Sequence, residues 1–191
     1  SIPFAFQPAL LKLNSKGLPV SSFGTAGVQR FPSLSVGTGK TGTLLIEDDR
    51  VIVSVATGAS VASEDFTTND SEVAAIDLQT GQLKTTFGTG GFLRWDWGYS
   101  NTEATAWWIP NGRGGYIGCG HVMKSLLLGQ SVSLVDITAN GLPDASVGHQ
   151  GRRLIAGTNS ANCAGLLRMP DGRLAVAAND GGQAVVMFFD R

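Results

Sequence analysis

The segment Arg94–Glu103, RWDWGYSNTE, sets two tryptophans about an aspartate, with a tyrosine and a glutamate close behind. Indole faces supply flat apolar area and carboxylates accept hydrogen bonds, a combination that suits a sugar ring or another flat polar ligand. Trp95, Asp96, Trp97, Tyr99 and Glu103 are therefore the candidate ligand-binding residues, with a carbohydrate or small molecule as the ligand class. The competing use of Trp95 and Trp97 is packing between layers of structure. A second constellation centres on His121, whose imidazole titrates near neutral pH and can serve as general acid or base. Glu64 and Asp65 are its candidate carboxylate partners, and the three form the candidate catalytic set. The other histidine is His149, and without a second histidine beside His121 no metal site is assigned. No cofactor is legible. Cys119 precedes His121 by two residues, so on a strand the two share a face; this allows a thiol nucleophile beside a base. Pairing of Cys119 with Cys163 in a disulfide is the alternative, and it needs Cα atoms within about 7 Å. G-x-S-x-G, H-E-x-x-H and paired C-x-x-C motifs are absent, and GTGKT at 37–41 has Leu34 where a phosphate loop needs its first glycine.

The elements that must position these residues repeat along the chain. Gly17-Leu18-Pro19, Phe23-Gly24 and Gly27 recur as Gly81, Phe87-Gly88 and Gly91, then as Gly141-Leu142-Pro143, Val147-Gly148 and Gly151, at intervals of 64 and 60 residues. Arg50, Arg113 and Arg173 follow apolar runs and precede others at nearly the same period; the last two close the turns PNGR and PDGR. Such turns between apolar runs mark hairpins. Each unit reads as four short strands, and no segment sustains an apolar period of 3.6, so helix content is expected to be low. The 26 glycines in 191 residues fit a chain of many turns, being about twice the usual share of ~7%. The expected units are 10–72, 73–131 and 132–191 within a single domain.

Four strands in about 60 residues is the size of a propeller blade. The run LLKLNSKGLPVSSFGTAGV at 10–28 resembles the delta-60 repeat of bacterial β-propellers, through Leu13, Asn14, Gly17, Leu18, Ser22, Phe23, Gly24 and Gly27. Pro170, Asp171, Gly172, Arg173, Leu174, Val176 and Ala177 are similar to that repeat's second half. The second unit departs from it with IDLQTGQLKTTFGTGG, which is also similar to quinoprotein propeller blades, and the third has Val147 in place of phenylalanine. The resemblance implies an all-β chain of four-stranded antiparallel blades, about three of them, belonging to a larger closed propeller. Propellers close with about 4–8 blades, so another copy of the chain or a companion chain is the expected partner.

Strand alternation puts the Arg and Gly turns on one edge and the longer, dissimilar connections on the other. Loops of that kind are where function concentrates on a rigid scaffold. The leading expectation is thus a binding scaffold that holds a ligand or partner on its long-loop face. A propeller enzyme, hydrolase or lyase, with its site at the channel mouth is the alternative, and a purely structural assembly module is the third. A net charge of −1 with scattered basic residues argues against nucleic acid. No apolar run is long enough to span a bilayer as a helix. A first residue that is serine fits processing of a precursor, and secretion or a bacterial periplasm is the expected location.

Overall fold

The computed structural model describes residues 9–31, 41–56, 71–95, 97, 103–125, 129–155 and 161–190. Within them lie strands and tight turns but no helix. The strands are β1 (Ala9–Leu11), β2 (Val28–Arg30), β3 (Thr41–Ile46), β4 (Arg50–Ala56), β5 (Ser71–Asp77), β6 (Phe92–Trp95), β7 (Glu103–Pro110), β8 (Tyr116–Ser125), β9 (Gly129–Ile137), β10 (Arg152–Ile155), β11 (Asn162–Arg168), β12 (Leu174–Asp180) and β13 (Gln183–Phe189). All pairings are antiparallel between sequence neighbours. They give a two-stranded sheet β1-β2, four-stranded sheets β3-β4-β5-β6 and β7-β8-β9-β10, and a three-stranded sheet β11-β12-β13.

The sheets pack face against face in chain order. Strand alternation sends Val51, Val53, Ala74 and Ile76 toward the β1-β2 sheet, where they bury Phe23 and Phe31. The opposite face of the same sheet sends Ile52, Val73, Ala75 and Trp95 against Trp108, Tyr116, Val135 and Ile137 of the next. Cys119, Val132 and Leu134 then meet Val176 and Ala178 of the last sheet. Each internal sheet is apolar on both faces, which is why its strands read as near-continuous apolar runs.

A recurring turn latches neighbouring sheets. The Gly24 N–H donates to Thr80 O at 2.8 Å, and the Gly88 N–H donates to Asn140 O at 2.7 Å. Beside each bond an aromatic ring lies over the following glycine: Phe23 over Gly81 and Phe87 over Gly141. Both glycines have positive φ, +78° and +69°, so the turn needs glycine for its backbone as well as for the ring's approach.

The first strands of the three larger sheets each carry a bulge, between Thr41 and Leu44, Thr105 and Trp107, and Cys163 and Gly165. At the second bulge the Ala106 carbonyl accepts from Thr43 Oγ1 at 2.9 Å and from Ser54 Oγ at 3.3 Å, a cross-sheet bond made through the irregularity. A Cβ on Gly42 would sit 2.4 Å from that carbonyl oxygen, so the close approach requires glycine there.

Candidate functional site

The row Ala56, Ser71 and Trp95 closes one edge of the β3–β6 sheet, and the connections 57–70 and 96–102 leave from that edge. Trp95 is therefore the last residue of a strand and not a loop residue. It is 3% exposed, because its position on β6 faces the β7–β10 sheet. The Arg152 guanidinium, on β10, lies 5.3 Å from the Trp95 ring and 5.7 Å from the Trp97 ring. Trp97 is half-buried against the same core cluster. The two indoles thus hold a cation supplied by the neighbouring sheet, an attraction worth about 0.5–2 kcal/mol per contact. Both indoles pack against the neighbouring sheet in this arrangement. Asp96 and Tyr99 lie outside the described residues; Glu103 opens β7, opposite Val122.

Polar groups thread this layer. The Thr105 N–H donates to Ser71 Oγ at 2.6 Å, joining β7 to β5. Glu72, fully buried, accepts from Arg94 Nε at 2.7 Å on the adjacent strand. Burying a carboxylate is costly unless a cation and hydrogen bonds compensate it, and Arg94 supplies both.

His121 also belongs to a strand. β8 continues to Ser125, and within it His121 pairs with Ala104 on β7 and Val132 on β9. Buried Val122 and Val132 extend the apolar register past the Gly-Cys-Gly run, so the hairpin lengthens. Glu64 and Asp65, the proposed carboxylate partners, lie outside the described residues. Cys119 and Cys163 are joined in a disulfide with Cα atoms 5.9 Å apart, tying β8 to β11 across the last sheet interface. A sulfur in that bond offers no thiolate, which removes the nucleophile reading of Cys119. Among the described residues no three His, Cys, Asp or Glu side chains cluster as metal ligands, and no helix is long and apolar enough to cross a membrane.

The opposite edge holds a network that sequence reading missed. Tyr116 is fully buried and its hydroxyl donates to Glu47 Oε1 at 2.7 Å. Burial, and then the Glu47 carboxylate, push its phenol above the ordinary value of 10. Arg50 donates to Glu47 at 2.6 Å and to the Ala139 carbonyl at 3.0 Å, so the first Arg turn reaches the Gly turn of the next sheet. Asp136, also buried, faces Arg153 at 3.1 Å and Arg113 at 3.5 Å. The signal was present as an arginine recurring at the repeat period, but its reach to the neighbouring sheet is tertiary. A small crevice, with room for no more than about one water, lies between the last two sheets, lined by Val132, Ile155, Ala161, Val185, Met187 and Asp180.

Comparison with protein-family models, with curated proteins and with solved structures gave no match.

Proposed function

We propose that this chain is a segment of a β-propeller built from delta-60-like repeats and works as a binding scaffold, presenting its connection-bearing edge to a ligand or partner. One observation carries the reading: successive sheets stack through the same latch, Gly24 to Thr80 and Gly88 to Asn140, each with its ring over a glycine. A repeated contact of this kind builds an array whose shape is set by the scaffold and whose specificity is left to the connections. Secretion or a periplasmic location is supported by the disulfide, since such bonds persist in oxidising compartments. The enzyme reading is the alternative and centres on His121, which lies in the ladder between Ala104 and Val132.

Electron microscopy of the natively purified particle tests the reading. End-on views should show sheets arranged radially about an axis; a straight or open stack would refute the propeller. In a substrate screen, His121→Ala should leave any activity unchanged, and its abolition would favour the enzyme.

A further inference from the structure

The meeting of outer strands departs from the repeat at Arg152. The Gly turns fix the equivalence: the N–H groups of Thr25, Thr89 and His149 donate to the carbonyls of Val28, Phe92 and Arg152, so these three residues open β2, β6 and β10 in the same position. Phe31 and Trp95 stand three residues further along and correspond to each other. Between the first two sheets Phe92 packs in one apolar cluster with buried Phe31. Between the next two the equivalent contact is Arg152 with Trp95, a guanidinium 5.3 Å from an indole. Arg152 pairs with Val135, whose side chain belongs to the apolar cluster around Trp95. A charge thus stands where the repeat elsewhere has hydrocarbon.

Among the described residues no carboxylate or carbonyl offsets that charge. Arg153, next on the strand and facing the other way, binds buried Asp136 at 3.1 Å, and Arg94 binds buried Glu72 at 2.7 Å. Arg152 has instead the two indole faces of Trp95 and Trp97. Its Nε is enclosed without an acceptor, and so are Trp95 Nε1 and Trp108 Nε1 in the same layer. All three are N–H groups, so what they lack is an acceptor, and the guanidinium favours an anionic one. Enclosed donors left unpaired cost stability. A position that breaks the local rule without compensation inside the chain is where function is expected.

We propose that Arg152, Trp95 and Trp97 bind the carboxylate of an acidic sugar. A carboxylate matches the planar guanidinium with two acceptor oxygens, and a side-on approach engages Nε together with a terminal nitrogen. The Trp95 indole N–H is the further donor. Arg152 and Trp97 are both half-buried, so neither the charge nor the outer ring is sealed in. Trp97, whose ring is the more distant from the guanidinium at 5.7 Å, is the side chain that gives way as the carboxylate reaches Nε. Its indole face then carries the C–H surface of the sugar ring. Trp95 ends its strand at the connection-bearing edge, the edge to which the scaffold reading assigns the ligand. The inference rests on that reading and names its ligand chemistry.

Arg152→Met carries the test, because it removes the charge and the donors while keeping an unbranched side chain. The full chain is titrated with glucuronate, glucose and acetate at constant ionic strength, followed by tryptophan fluorescence and calorimetry. Glucuronate should bind saturably, and glucose, acetate and the R152M chain with glucuronate should each show binding about tenfold weaker or more. The urea midpoint of R152M should stay level or rise, since an unpaired charge has left an apolar layer. No saturable glucuronate binding overturns the proposal, as does equal binding by R152M or by acetate. A lower midpoint for R152M without any ligand response would make Arg152 a staple between the indoles, which also overturns it. Non-additive midpoints for D96N and R152M would show that the chain's own Asp96 serves as the acceptor, with the same consequence. A different ligand whose binding ignores R152M would leave the scaffold reading standing while this site falls. An open stack by microscopy would refute the propeller and leave glucuronate binding intact.

Discussion

Gly17 and Gly141 occupy equivalent turns with nearly equal backbone angles, φ +77° and +69°, yet differ in what surrounds them. Alanine at either position incurs the left-handed penalty, about 1–2 kcal/mol. At Gly17 nothing more is expected, because the Cβ enters open space. At Gly141 the Cβ would stand 2.6 Å from the Phe87 ring, which is itself only 1% exposed and cannot withdraw without leaving a void. Overpacking of this kind adds about 1–3 kcal/mol. Gly141→Ala should thus cost about 2–5 kcal/mol and Gly17→Ala about 1–2 kcal/mol. Urea unfolding at dilute protein, followed by tryptophan fluorescence, reads both. With a slope of about 2 kcal/mol per molar urea, the two midpoints should separate by roughly 0.5–1.5 M. Pairing Gly141→Ala with Phe87→Leu should recover part of the deficit, as the smaller side chain yields space. Equal losses for the two glycine variants would mean that the ring contact carries no energy and that the latch is incidental.

Replacing Cys119 and Cys163 together with alanine should lower stability by about 4 kcal/mol, the chain-entropy value for cysteines 44 residues apart; no change between oxidised and reduced denaturation curves would contradict it. Trp95→Ala should cost about 3–5 kcal/mol, as expected for a buried indole. Full stability with loss of a ligand would instead return Trp95 to the binding surface. Tyr116 has a raised pKa in the folded chain, so its contribution is fully present below the unfolded value near 10 and is lost as pH rises through the folded value. Stability should accordingly fall in alkali above pH 10, and Tyr116→Phe should flatten that fall; an unchanged alkaline profile would show that the phenol is neither buried nor held by Glu47 as described.

Periodicity made the strands and their order legible, because a turn that needs glycine or Asp-Gly states its own position. The end of each strand was less legible. Glycine and charge around His121 and Trp95 give no sign of a continuing strand, yet ladder pairing with Val132 and Ser71 carries both strands through them. Turn length was masked in the same way. Asp77 and Gly81 are four apart where Asn14 and Gly17 are three apart, and the extra residue is absorbed by Asp77 Oδ1, which accepts from the Gln79 and Thr80 amides at 3.0 and 2.8 Å.

What a sequence cannot display is which of two equivalent positions has a neighbour. Phe23 and Phe87 share a motif with Val147, and only the packed array shows that the first two reach a following turn. Arg50 shares a motif with Arg113 and Arg173, but Arg50 binds the next sheet through Ala139 O, Arg113 reaches Asp144 at 2.8 Å, and Arg173 turns back to Asp171 within its own turn. Of the three, Arg50 staples two sheets, whereas Arg113 pairs with Asp136 and Asp144 of its own sheet and Arg173 with Asp171 of its own turn; the exposed Arg173 pair is of the solvated kind that contributes little. The shared motif therefore fixes the turn, and the neighbour decides its contacts: Gly81 and Gly141 lie under the rings of Phe23 and Phe87, while a Cβ at Gly17 would meet nothing within 4 Å.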